Sequence, residues 1–120
     1  MIVQDVMSKQ VVTCSPNDYV NEVAEQMRSL DIGCLPVVSK KKLVGMITDR
    51  DIVTRAVAKD VKCKVENIMT KAVISVSPQE TTAEASILMG KHQVRRLPVV
   101  ENEELVGFVS LADLAFPFPH

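Results

Sequence analysis

The chain has 120 residues, 47% apolar and 24% charged, with a formal net charge of −1. That length allows one compact domain or two half-domains. The near-neutral balance, with no Trp, one Tyr and three Phe, supplies neither the basic footprint nor the stacking platforms of a nucleic-acid binder. No apolar run reaches membrane-spanning length and no signal-peptide core opens the chain. Cys14, Cys34 and Cys63 have neither disulfide-framework nor zinc spacing, so a soluble protein of the reducing cytoplasm is expected, with no metal and no membrane.

In chain order, residues 11–14 read as a short strand. Ser15, Pro16, Asn17 and Asp18 then supply capping groups and early negative charge. Val20, Val23, Ala24 and Met27 recur at i, i+3, i+4 and i+7, which predicts a helix to about Leu30, with Gly33 as a left-handed terminator. Residues 35–38 form a β-branched run whose Pro36 suits a strand beginning or an edge. Lys40, Lys41 and Lys42 make a solvated turn, and residues 43–48 return as the second strand of a hairpin. Ile52, Val53, Ala56 and Val57 mark a further amphipathic helix starting near Asp49. Residues 59–66 read as a polar connector.

The pattern then repeats. Residues 73–76 predict a strand, Ser77 and Pro78 a cap, residues 80–92 a helix, and 97–100 and 105–110 a hairpin around a Glu-rich turn. A short last helix is ended by Pro117 and Pro119. Sliding residues 7–53 forward by sixty-two positions without a gap gives fifteen identities in forty-seven places. A repeat of this length is one supersecondary unit that cannot bury its apolar face alone. The expected architecture is therefore α/β (α+β): two β-α-β-β-α repeats, residues 1–60 and 61–120, packed with pseudo-two-fold symmetry.

The chemistry concentrates in two segments, residues 45–51 and 107–113. Each reads Gly, apolar, β-branched, hydroxyl, two residues, aspartate. Thr48 and Ser110 fall where a strand passes into a helix, so their hydroxyls can cap the helix or bond a phosphate oxygen. Asp51 and Asp113, one turn inside, can favour the helix dipole or accept two hydrogen bonds from vicinal ribose hydroxyls. No residues assemble a nucleophile, base and oxyanion hole, so the chain is not expected to be an enzyme or to carry a catalytic cofactor.

As an ordered set occurring twice, these segments resemble a tandem pair of CBS domains, a Bateman module. The carrying residues are the two Gly-x-Ile/Val-Thr/Ser-x-x-Asp motifs, Leu35-Pro36-Val37-Val38 and Leu97-Pro98-Val99-Val100, Met69-Thr70, and Ser15-Pro16 with Ser77-Pro78. The resemblance covers essentially the whole chain. It implies a stand-alone regulatory module of small mixed sheets flanked by helices, sensing energy state through adenine nucleotides. AMP, ADP, ATP or S-adenosylmethionine would lie in two clefts between the repeats, and occupancy would be signalled to a regulated protein partner.

In that resemblance Ser110 and Asp113 hold a nucleotide whose phosphates Arg96 contacts, with Ser8 and the segment around Val12, Gly33 and Cys34 as the opposite wall. Thr70 and Ile74 are the counterparts of Ser8 and Val12 for the Thr48/Asp51 cleft, which lacks its own arginine. That cleft borrows Arg95, uses Arg50 or Arg55, or takes a less charged adenosine derivative. Apart from any ligand, Arg95 and Arg96 read as a solvated pair at a helix end.

Such modules dimerise through their helices, and Ile52, Val53, Val57 and Leu114 suit a homodimer. The alternative function is an interaction or dimerisation module without a ligand. His92 reads as a C-terminal dipole partner, His120 as a frayed end, Cys34 as a core cysteine, and Met27, Met46 and Met89 as core. Phe116 and Phe118 read as an apolar tail that packs on its own module or a sister subunit.

Overall fold

The computed structural model describes residues 1–58 and 62–115. Pro117, Pro119, Phe116, Phe118 and His120 lie outside the described residues, as does the start of the polar connector. The chain divides into two compact units: a central unit, Val12–Val73, and a split unit made of Met1–Val11 with the chain from Ile74 onward.

In the central unit, α1 spans Val20–Leu30 and buries Val23 and Met27 beside Val20. The Ser15–Asp18 cluster closes the turn ahead of the helix instead of capping it: the Ser15 N–H donates to Asp18 Oδ2 at 2.8 Å, and Tyr19 is the N-cap. Asp31, at φ 54°, supplies the left-handed terminator expected of Gly33, donating its N–H to the carbonyls of Met27 and Arg28. The pairs Leu35↔Ile47 and Val37↔Gly45 then register β1, Cys34–Ser39, antiparallel against β2, Lys42–Thr48, with a bulge after Val37. The turn between them takes positive φ at Lys40 and Lys41, the primed geometry whose twist suits a two-residue hairpin.

The expected strand at residues 11–14 is a single parallel bridge, Cys14 to Val37. Pro16 has no N–H with which to continue the ladder. Beyond β2, α2, Asp49–Asp51, runs directly into a π-turn, Ile52–Ala56, closed by the Val57 N–H on the Ile52 carbonyl at 2.9 Å.

The split unit repeats this plan. Thr81 and Glu84 cap α3, Thr82–His92, reciprocally: the Glu84 N–H donates to Thr81 Oγ1, and the Thr81 N–H donates to Glu84 Oε1, both at 3.0 Å. That backbone donor, with the Thr81 hydroxyl, holds the Glu84 carboxyl below its usual range. The strands β3, Arg96–Glu101, and β4, Glu104–Ser110, form the second hairpin, and α4 spans Leu111–Ala115. Here too the expected first strand, residues 73–76, reduces to one bridge, Val76 to Val99.

Packing groups the chain differently from the repeat. Val65 and Ile68, in or just after the expected connector, are buried in the core of the central unit with Val20, Val23, Leu35 and Ile47. Val3 and Val6, their counterparts sixty-two positions earlier, are buried in the split unit with Val76, Ala85, Leu97 and Val109. Matching backbone bonds tie each segment down: Val65 N–H to the Asp18 carbonyl, and Val3 N–H to the Glu80 carbonyl, each at 2.8 Å. Each repeat thus contributes its leading segment to the unit built around the other repeat's hairpin.

Met27 and Met89 lie in these cores as expected, while Met46 and Cys34 are half-buried and Cys14 is the buried cysteine. Burial, and then the Asp18 carboxylate, push the Cys14 thiol up to about 12 from 9.0. The folded state holds that proton more tightly, so the associated stability is whole below pH 9 and falls as pH rises towards 12. Cys14 is therefore expected to resist iodoacetamide at pH 8 until the protein unfolds, since the thiolate is the nucleophile. Mass spectrometry of labelled peptides checks this, and labelling in the native state at the rate of a simple exposed thiol would contradict it.

Candidate functional site

The two strand–helix corners are built alike. At β2–α2 the Asp51 N–H donates to Thr48 Oγ1, and the Thr48 N–H donates to Asp51 Oδ2, each at 3.0 Å. At β4–α4 the Asp113 N–H donates to Ser110 Oγ at 3.1 Å, and the Ser110 N–H donates to Asp113 Oδ2 at 2.8 Å. Both pairs are reciprocal capping boxes, so the capping role anticipated for these residues is present at both corners. Capping spends one carboxylate oxygen and one hydroxyl lone pair, while the hydroxyl proton still has a donor's role to play. Asp51 is buried, 8% exposed, and Asp113 is half-buried.

Each corner is closed by a second backbone bond, Asp49 N–H to the Gly33 carbonyl at 2.9 Å and Leu111 N–H to the Arg95 carbonyl at 2.8 Å. Strand β2 is flanked by Thr70, which exchanges both backbone bonds with Met46, and β4 by Ser8, which does the same with Phe108. Gly45 and Gly107 make this approach possible: a Cβ at Gly45 would stand 2.9 Å from the Thr70 carbonyl oxygen, and one at Gly107 3.0 Å from that of Ser8.

The structure therefore gathers Thr48, Asp51, Thr70, Val12, Gly33 and Cys34 in the central unit, and Ser8, Ile74, Arg95, Arg96, Ser110 and Asp113 in the split unit. Ser8, expected to face the Ser110/Asp113 pair, lies in the same unit as that pair, bridged to Phe108 on the strand that carries Ser110. In the split unit an open recess of about 550 Å³ is lined by Arg95, Arg96, Ser110, Leu111, Ala112 and Ala115. Both arginines are exposed. In the central unit Arg55, one of the arginines expected near this corner, lies with Nε 3.8 Å from Asp51 Oδ1 and donates from Nη1 to the Ile68 carbonyl at 3.2 Å. The two side chains are four residues apart, the spacing at which an acid and a base meet on one helix face.

The CBS domain profile matches residues 3–58 and 65–117. The chain belongs to the CBS domain family. As a CBS pair it is 44% identical over 115 residues to the CBS domain-containing protein YhcV of Bacillus subtilis, covering 94% of this chain and 82% of that protein. Among solved structures it resembles the CBS domain pair of protein MJ0100 in complex with 5′-methylthioadenosine and S-adenosyl-L-methionine. The TM-score is 0.84 at 34% identity, over 98% of this chain and 94% of that one. It is also 39% identical to inosine-5′-monophosphate dehydrogenase of Korarchaeum cryptofilum. That match covers 93% of this chain and 23% of the enzyme, so the CBS pair corresponds to less than a quarter of that protein.

Among the described residues no helix is long and apolar enough to cross a membrane, and no group of three or more His, Cys, Asp or Glu side chains could hold a metal ion. Val53 and Val57, one helical turn apart, are exposed, whereas Ile52 and Leu114 are partly buried against their own cores. His92 ends α3 and is exposed.

Proposed function

We propose that this CBS pair is a regulatory module that binds an adenosine-containing ligand at its strand–helix corners and passes occupancy to a partner protein. At the β4–α4 corner Asp113 receives the ribose hydroxyls, the Ser110 hydroxyl meets the ligand, and Arg95 and Arg96 take its phosphates. The observation that carries this reading is the recess beside Ser110, lined by both arginines at the mouth of a capped helix. The related MJ0100 pair, which is described with two adenosine compounds, supports the ligand class.

Guanidinium–phosphate pairs are charge-assisted and bidentate, which suits Arg96 to AMP, ADP or ATP more than to a neutral nucleoside. Thermal melts with AMP, ATP and S-adenosylmethionine test the reading directly. A ligand at a hundred times its Kd should stabilise the fold by about 2.7 kcal/mol. Arg96→Ala is expected to weaken AMP or ATP by about tenfold or more, as charge-assisted bonds imply, without lowering the ligand-free Tm, because Arg96 is exposed. No shift with any of the three at millimolar concentration would overturn the proposal.

A further inference from the structure

The two corners share one backbone frame and carry opposite chemistry around it. Their capping distances agree within 0.2 Å and their closing bonds within 0.1 Å. A ribose held alike by Asp51 or Asp113 would therefore direct its 5′ substituent to the same relative place. In the split unit that place is bordered by Arg95, Arg96 and Leu111. In the central unit the matching residues are Gly33, Cys34 and Asp49. The Asp49 carboxylate folds over the bare Gly33 backbone: Oδ2 lies 3.3 Å from where a Cβ on Gly33 would stand.

Two arginines, Arg50 and Arg55, follow it in the chain. Arg55 is engaged with Asp51 and with the Ile68 carbonyl. Arg50 gives its backbone N–H to Asp49 Oδ1 at 2.8 Å, and its guanidinium is the remaining cation on the helix.

We infer that Asp49 is a specificity-determining residue: it repels a 5′-phosphate, so the central-unit corner takes an adenosine whose 5′ substituent carries no negative charge, while the split-unit corner takes the phosphorylated nucleotide. The inference rests on the adenosine reading above. Like charges near a protein surface repel more than in bulk water, and selectivity arises as much from such repulsion as from attraction.

The test is calorimetry on the full chain in an Arg96→Ala/Asp113→Asn background, which weakens the split-unit corner at both its phosphate and its ribose contacts, with adenosine and AMP as probes. Adenosine is expected to bind about tenfold or more tighter than AMP. Asp49→Leu, which installs the residue found at position 111, should raise AMP affinity about tenfold and leave adenosine unchanged. Asp49→Asn should do the same with the side-chain shape preserved, and both should fold because Asp49 is exposed.

AMP binding as tightly as adenosine, or an AMP affinity that Asp49→Leu does not move, overturns the inference and leaves the adenosine reading standing. Loss of AMP binding in Arg50→Ala, with no effect of Asp49→Leu, overturns it equally, by making the corner a phosphate site. Binding of neither probe to the folded protein removes the adenosine reading, and this inference with it.

Discussion

Asp113→Asn is expected to lower affinity for an adenosine nucleotide by about tenfold to a hundredfold while leaving the fold nearly as stable. The asparagine side-chain oxygen can still accept the Ser110 N–H that Asp113 Oδ2 now takes at 2.8 Å, so the capping box survives. What disappears is the negative charge that the proposal sets against the ribose. Hydrogen bonds to a charged acceptor contribute roughly 1.5–3 kcal/mol, and every 1.4 kcal/mol or so is tenfold in Kd. Asp113→Ala separates the two roles further, since it loses both the charge and the cap and should also cost about 1 kcal/mol of stability. Titration calorimetry and thermal melts on the two variants measure both quantities. An unchanged affinity in Asp113→Asn would show that the carboxylate serves the helix alone.

Gly45→Ala is expected to destabilise the protein by roughly 1–3 kcal/mol through overpacking, and Gly90→Ala to stabilise it by roughly 0.5–1 kcal/mol. The opposite signs come from surroundings, since neither glycine has positive φ. A methyl on Gly45 would meet the Met69 sulfur at 2.7 Å and the Thr70 carbonyl oxygen at 2.9 Å. The thioether can swing aside, but the Thr70 carbonyl is held by the Met46 N–H at 2.9 Å and cannot retreat without breaking that bridge. Around Gly90, in α3, nothing lies within 4 Å, so the added Cβ only narrows the unfolded ensemble. Denaturant melts of the two variants give the comparison. A neutral Gly45→Ala would mean that residues 69 and 70 are not seated on β2 as described.

The spacing of apolar residues was enough to locate α1, α3 and both hairpins to within a residue or two, because each buries one face against a single core. The internal repeat supplied the family and the two hydroxyl–aspartate corners, since a motif weak in one copy becomes specific when it recurs in order. Turn and cap chemistry was less readable. Gly33 looked like the end of α1, yet Asp31 adopts the left-handed conformation and Gly33 is left to pass close to Asp49. The strands expected at 11–14 and 73–76 shrank to single bridges, as the prolines that follow them have no donor to extend a ladder.

Sequence alone determined that this chain carries one supersecondary plan twice, with an alcohol and a carboxylate at each strand–helix junction, because composition and periodicity are local properties that survive without coordinates. Tertiary structure decided which core receives Val3 and Val6 and which receives Val65 and Ile68. A segment with the same apolar spacing in both copies satisfies either core equally well, so only long-range packing and backbone pairing could choose between them.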